Sequence, residues 1–579
     1  MPRYARPTRV ASEIGARIPD WLRLAIASVS GAALSLSFTG LYLSIYSWVC
    51  VAALLLAAIG ASGRVAFACG FCHALFFVLT SVPWIATVLS VHGGLPVAGG
   101  WGVLLLIASA WGVLVGGFTL TVDRLSRRSI DLALIAAPFV WVTFEFIRAH
   151  LPEISFPWNL LGYAASANLG LLQIATLTGI YGLSFLAAGF NALLVWVVAS
   201  KRMALRQRVG IAALATTILL VAALVGPRVV PQARARHLAR VVQLNFPEVP
   251  EYPSDWFAKN VQQLDEVSEM SLAPRPEKPD LLVWPEAPAP FSFEDSQFAK
   301  LASSLAIRFG HPFLAGAIEW KTPVDRSDKA PPGPLVPHNS AILIDAQGQR
   351  VFVYDKIHLV PFGEYEPFPL IHRVVANISG EVGGFQKGNR YAVARLPNGH
   401  TFGVFICYEA IYPDEVRRFA ANGAELLLNI SNDGWFGHSA AAEQHLHMVR
   451  VRAVENRRWI VRSTNSGYTV SVDPYGRITE PLPPEVRAET DLPYDFRSDK
   501  TIYTRFGNWF AWMCVAVSVI LLVISLKPRT REETTQGVNE SHLERTNEPR
   551  RPTRSLPSIE AADRTCAELS LTCPAIASA

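Results

Sequence analysis

Thr401-Phe402-Gly403-Val404-Phe405-Ile406-Cys407-Tyr408-Glu409-Ala410 is an apolar run that stops abruptly at a cysteine and turns polar. Such a run reads as a buried strand, and a thiol just beyond it is where a nucleophile at a sheet rim would sit. Cys407 is the only cysteine between Cys72 and Cys514, so its own region offers it no disulfide partner.

Around this stretch, strand-like runs recur at 241–244, 281–284, 313–318, 340–344, 351–354, 391–394, 426–430 and 459–463. Stretches with charged faces near 254–269, 295–309, 412–422 and 439–456 read as helices, and the turns at Asp345-Ala346-Gln347-Gly348 and Asp473-Pro474-Tyr475-Gly476 as hairpins. This mixture implies a layered α/β domain with helices covering sheet faces.

Two further polar residues follow such runs: Glu286 after Leu281-Leu282-Val283-Trp284-Pro285, and Lys356 after Val351-Phe352-Val353-Tyr354-Asp355. If the strands share a sheet, Glu286, Lys356 and Cys407 can converge on one cleft. A thiol needs a base or a cation to act at neutral pH. Glu286 can take its proton and later return it; Lys356 can hold the thiolate and, with a backbone N–H after Cys407, counter the charge of a tetrahedral intermediate. Taken singly, each has an ordinary explanation: a turn glutamate, an edge lysine, a small buried cysteine.

Composition adds a membrane component. The chain has 579 residues, 51% hydrophobic and 17% charged, with a mean hydropathy of +0.26, too apolar for an ordinary soluble enzyme. Apolar runs at about 24–38, 41–60, 65–89, 98–122, 131–148, 170–199 and 210–227 read as seven spans, and 508–526 as an eighth; the first two could instead be one long bent element. Arg64, then Arg124, Arg127 and Arg128, then Lys201, Arg202, Arg206 and Arg208, then Lys527 and Arg529 fall in alternate connections, while the others carry almost no positive charge. The positive-inside rule then puts the basic N-terminus (1–23) in the cytoplasm, the helices of 24–227 and 508–526 in the membrane, and the polar region 228–507 outside it. Residues 527–579 read as a disordered cytoplasmic tail, in which Cys566 and Cys573 have no metal-ligand context. Neither a nucleotide loop nor a nucleic-acid surface is apparent.

Glu145 and Arg148 share one helical face at the outer end of the fifth span; they could hold a lipid headgroup or tie two helices together. The loop containing Phe156-Pro157-Trp158 suits the membrane interface or the shaping of a lipid entry. Asn432-Asp433-Gly434 reads as a turn that places Trp435 and Phe436 as an apolar lip or packs them into the core. Gln444, His445, Arg450, Arg452, Glu455 and Arg457 read as a helix held by charge pairs, outside the chemistry.

Trp284-Pro285-Glu286, Tyr354-Asp355-Lys356-Ile357-His358-Leu359-Val360-Pro361-Phe362-Gly363-Glu364-Tyr365 and Cys407-Tyr408-Glu409 resemble the signature segments of the nitrilase, or carbon–nitrogen hydrolase, superfamily. With the spans before and after, residues 20–526 resemble its membrane-embedded branch, the apolipoprotein N-acyltransferases. The resemblance implies an αββα sandwich inserted before the last of about eight spans, with Glu286 as general base, Lys356 as oxyanion partner and Cys407 as nucleophile. It implies that Glu364 supports the lysine, that Tyr408 and Glu409 shape the pocket, that Trp435 and Phe436 contribute to its rim, and that Trp256 contacts substrate from a mobile segment. Glu251-Tyr252-Pro253-Ser254-Asp255 and Ser155 depart from the family pattern. Also implied are a glycerophospholipid donor, a diacylglyceryl-modified apolipoprotein acceptor, a monomer among membrane lipids, no cofactor or metal, and a bacterial inner-membrane location with the catalytic domain periplasmic. The alternatives are a membrane-tethered amidase, in which water takes the acyl group, and a non-catalytic scaffold or transporter.

Overall fold

The computed structural model describes residues 18–39, 43–152, 155–249, 252–322, 335–365, 384–479 and 481–526. The tail expected at 527–579, most of the basic N-terminus and residues 250 and 251 lie outside them.

Among the described residues, eleven strands form two sheets: β1 (His237–Gln243), β2 (Leu281–Val283), β3 (Phe313–Lys321), β4 (Val336–Ile344), β5 (Arg350–Asp355), β6 (Val393–Arg395), β7 (Thr401–Ile406), β8 (Leu426–Ser431), β9 (Ile460–Thr464), β10 (Val470–Val472) and β11 (Ala488–Tyr494). One sheet runs β11-β1-β2-β3-β4-β5, the other β10-β9-β8-β7-β6. Each has a parallel centre, β1-β2-β3 in one and β7-β8-β9 in the other, with antiparallel edges.

Period-two alternation decides which side chains face inward. Val241, Val283, Leu314 and Leu343 share one core with Val404, Leu428 and Val461 of the other sheet. Leu282, Phe313 and Ile342 point the opposite way, onto the helices Val261–Leu272 and Ser296–Phe309. The latter helix starts where Asp295 Oδ1 accepts from the N–H groups of Gln297 (2.7 Å) and Phe298 (3.3 Å) and stops at Gly310 in the left-handed region (φ +77°). The five-stranded sheet carries the helices Pro413–Ala421 and Ala441–Asn456; Leu446, Val449 and Ala453 of the second enter the sandwich core, whereas Met448, Val451 and Val454 join the core of the membrane helices.

Among the described residues, seven helices are long and apolar enough to cross a membrane: Asp20–Phe38, Gly63–Ser81, Val97–Ser126, Ile130–Ala149, Ile180–Ala199, Leu205–Val229 and Trp509–Leu526. They overlap each of the expected runs, of which 65–89 is broken at Pro83, except 41–60, where the chain forms a 3₁₀ turn (Ser44–Trp48) and a short helix (Cys50–Ala58). Asn191 replaces the bonds lost at that break, donating to Ser47 O (2.9 Å) and accepting from the Ala52 N–H (2.8 Å), and Arg23 bonds the carbonyls of Ala57 and Ile59 at the helix end. The 170–199 run breaks at Gly179, and Glu455 Oε1 accepts the Ile180 N–H (2.9 Å).

Candidate active site

The carboxyl ends of β2, β5, β7 and β8 lead into one cleft. Past β2 the chain stays extended alongside β3, with Trp284 N–H on Leu314 O (2.8 Å) and Gly316 N–H on Pro285 O (3.1 Å). A Cβ at Gly316 would lie 2.6 Å from Glu286 Cα, so this glycine makes room for the glutamate backbone.

Lys356 leaves β5 with its N–H on Asn339 O (2.8 Å). Its Nζ donates to Glu286 Oε1 (3.1 Å) and to Glu364 Oε1 (2.9 Å), and Asn339 Nδ2 donates to the same two oxygens (2.7 and 2.6 Å). Glu364 is anchored from behind by the Val360 N–H (2.7 Å), and Glu286 Oε2 accepts from the Asn432 N–H (2.8 Å). Burial pulls the Lys356 ammonium down, but Glu286, Glu364 and Cys407 outweigh it and hold it well above the ordinary lysine value.

Cys407 follows β7 in the left-handed region (φ +47°), a conformation that costs a non-glycine residue energy and must be held by its surroundings. Burial pushes the thiol well above its ordinary value and Glu286 adds to this, against the Lys356 charge. The surroundings thus favour the thiol over the thiolate, and a thiol so placed can act as a nucleophile only when a neighbouring base takes its proton.

Glu409 lies behind the cleft. Its Oε1 accepts from Tyr354 OH (2.7 Å) and from the N–H groups of Ile357 (2.7 Å) and His358 (3.2 Å), and its Oε2 from the Ile406 N–H (2.6 Å). One carboxylate thus ties the loop after Lys356 to the strand end before Cys407. Tyr408 stacks against Phe156 (6.3 Å between centroids), which lies 5.9 Å from Trp111 and 5.6 Å from Trp158, so an aromatic path leads from beside Cys407 into the membrane helices.

The lip residues divide. Phe436 packs on Trp84 (5.0 Å) and Trp158 (6.0 Å), whereas Trp435 is exposed beside His92 (4.9 Å). Trp256 is buried among Phe246, Phe257 and Phe291, in the core outside the six-stranded sheet. Arg148 donates to Trp158 O (3.0 Å) and covers the Trp111 ring, while Glu145 accepts from the Leu161 N–H (2.7 Å); both hold the aromatic loop in place.

Sequence reasoning set His445 apart from the chemistry; the structure places it beside the backbone of Cys407. His445 Nε2 lies 3.0 Å from Cys407 O and its Nδ1 3.1 Å from Asp433 Oδ1; Arg462 Nη2 donates to Asp433 Oδ2 (2.5 Å). Despite its burial, Asp433 is held far below the usual carboxylate range by Arg462 and His445. Asn339 and Glu248 also escaped the sequence, since each matters through a partner remote in the chain, whereas Asn432 lies in the turn that the sequence singled out. The Asn-Asp-Gly turn after β8 was the one available signal.

Two family models match the chain: Carbon-nitrogen hydrolase over residues 238–490 and Apolipoprotein N-acyltransferase N-terminal domain over 30–193. An apolipoprotein N-acyltransferase of Geobacter metallireducens is 33% identical over 516 residues, covering 87% of this chain and 95% of that protein. One from Rhodopseudomonas palustris is 32% identical over 425 residues (71% and 77%), and one from Thermotoga maritima 28% over 526 residues (89% and 95%). A transferase-type acyl-transfer function follows from this kinship, and the chain belongs to the apolipoprotein N-acyltransferase family.

Proposed function

We propose that this enzyme moves a fatty acyl group from a glycerophospholipid, through a thioester on Cys407, to the N-terminal amine of a diacylglyceryl-cysteine apolipoprotein. The observation that carries the reading is the contiguity of the Glu286–Lys356–Glu364 cluster and Cys407 with the aromatic path into the membrane helices.

In the first half-reaction the Cys407 sulfur attacks the ester carbonyl carbon and its proton passes to Glu286. The Lys356 ammonium and the Tyr408 N–H take the oxyanion. As the carbon–oxygen bond breaks, Glu286 returns the proton to the alkoxide and a lysophospholipid leaves. In the second, the neutral amine attacks the thioester, Glu286 carries a proton from nitrogen to the departing thiolate, and an amide is released. Dividing the substitution in two lets one site serve two lipid-bound substrates in turn. Drawing an acyl chain through water would cost ~0.8 kcal/mol per exposed CH₂, which gives the apolar helices beside the cleft a task. The alternation of basic connections supports a cleft at the outer face of the inner membrane, the leaflet from which donor and acceptor would then enter.

Incubation of the purified protein with phospholipid, followed by mass spectrometry of the Cys407 peptide, tests the reading. The expected result is an acyl adduct discharged by a diacylglyceryl-peptide with appearance of its amide. Discharge to free fatty acid with no amide would make the protein a hydrolase instead.

A further inference from the structure

The reaction as written uses Glu286, Lys356, Cys407 and the Tyr408 N–H and gives no part to Glu248. Glu248 follows β1 in a segment sewn to Asn465: the Asn245 N–H donates to Asn465 O (2.8 Å), the Phe246 N–H to Asn465 Oδ1 (3.0 Å), and Asn465 Nδ2 to Phe246 O (2.8 Å) and Glu248 Oε1 (2.9 Å). The other oxygen of Glu248 accepts from Asn432 Nδ2 (2.9 Å), and the N–H of the same asparagine donates to Glu286 Oε2 (2.8 Å). Two carboxylates therefore lie on either side of one buried asparagine, which bonds one through its side chain and the other through its backbone. A Cβ at Gly434 would stand 2.5 Å from Glu248 Oε1, so the turn leaves room for the carboxylate through a residue without a side chain.

We propose that Glu248 is a positioning residue of this site, which acts on Glu286 by fixing Asn432 and hence the N–H that orients the Glu286 oxygen opposite Lys356. The inference rests on the acyl-transfer reading given above. Ionised Glu248 accepts from Asn432 and Asn465 together; once protonated it surrenders one acceptor site and the hold on Asn432 slackens. The groups that face it are Glu286 from beyond β2, Asn432 and Gly434 from the turn after β8, Asn465 and Ser466 from beyond β9, and Tyr252 from its own segment; the charged one is Glu286. Burial first, then the Glu286 charge, pushes Glu248 up to about 7 against the two asparagines. The device thus switches in the range where the enzyme works, being engaged above that pH and released below it.

The test is the rate of Cys407 acylation by phospholipid in full-length enzyme, followed from pH 5.5 to 8.5 for wild type, Glu248→Gln, Asn432→Ala and the double variant. In wild type the rate falls as pH drops through 7 and levels off near the Glu248→Gln rate once Glu248 is mostly protonated. Glu248→Gln lowers the plateau while leaving the phospholipid KM in place, and its remaining decline over the same range is under about threefold. In the Asn432→Ala background Glu248→Gln adds nothing, because the link is already cut. Each profile is scaled to its own plateau and each variant's melting is recorded, so a loss of folded protein cannot imitate the result. A Glu248→Gln enzyme with the wild-type plateau and acid limb overturns the inference, and so do fully additive effects of the two substitutions. Wild-type enzyme that takes up no acyl group overturns instead the assignment of Cys407.

Discussion

The helices Ser296–Phe309 and Ala441–Asn456 both cover a sheet of the sandwich, and by opposite means. The first buries Phe298, Ala302, Leu305 and Ala306 at helical spacing and leaves most of its polar residues outside. The second buries thirteen of its sixteen residues, Gln444, His445, Arg450, Arg452 and Glu455 among them, because the sheet lies on one side and the membrane helices on the other. Its polar side chains bond outward. Gln444 donates to Phe38 O (2.7 Å) and Ser81 O (3.0 Å) and accepts from Trp158 Nε1 (2.7 Å), Arg450 reaches Ser166 O (3.1 Å), and Arg452 reaches Tyr163 OH (3.0 Å). A helix that only covers a sheet needs a stripe of apolar residues. One buried between two parts of the protein needs its polar atoms matched one by one, and its failure should therefore be abrupt.

Substitutions can set the two helices against each other. Arg452→Leu leaves Glu455 buried beside nothing but the Ile180 N–H, and a loss of ~3–5 kcal/mol is expected in thermal unfolding of detergent-solubilised protein. A loss under ~1 kcal/mol would mean that Glu455 takes up a proton and is buried neutral instead of as an unmatched charge. His445→Ala frees the Cys407 carbonyl, and a shift of the nucleophile by an ångström should lower single-turnover acylation ~10²-fold with the protein still folded.

The third comparison uses pH. Burial pushes Glu455 up to about 7, against Arg452 and the Ile180 N–H. A carboxyl raised on folding stabilises fully below its ordinary value and loses that contribution as pH rises through the folded value. Wild-type melting temperature should therefore fall between pH 5 and 8 through this group, and Glu455→Gln should flatten the fall; parallel curves would exclude the group. The smallest effect belongs to the other helix. Asp295→Ala removes a cap worth ~1 kcal/mol and should lower stability by that amount with acylation unchanged.

The same contrast decides what could be read from the sequence. Apolar runs with abrupt polar ends revealed the strands before Glu286, Lys356 and Cys407; burial accounts for the first and third, whereas β5 is an edge strand that buries only Tyr354 and shows itself by its β-branched and aromatic residues. The edge strand β11, Ala488-Glu489-Thr490-Asp491-Leu492-Pro493-Tyr494, left no such mark. It carries two acids and a proline, buries only Leu492 and Tyr494, and owes its conformation to pairing with β1. The 41–60 run showed the converse error, because hydropathy reported burial correctly and could not show that Asn191 allows the helix to break. The Asp433–His445–Arg462 cluster and Glu248 were invisible for a third reason. Their meaning lies in partners brought together only by the fold, and a lone histidine on a charged helix has a sufficient explanation without them.

The central claim is that one sulfur carries the acyl group between two lipid-anchored molecules. Its most direct test is the rate at which folded Cys407→Ala enzyme forms N-acylated diacylglyceryl-peptide from phospholipid, measured beside wild type in the same detergent. The account predicts amide from the wild type and none above the uncatalysed background from the variant. Amide formed by Cys407→Ala at the wild-type rate would contradict it.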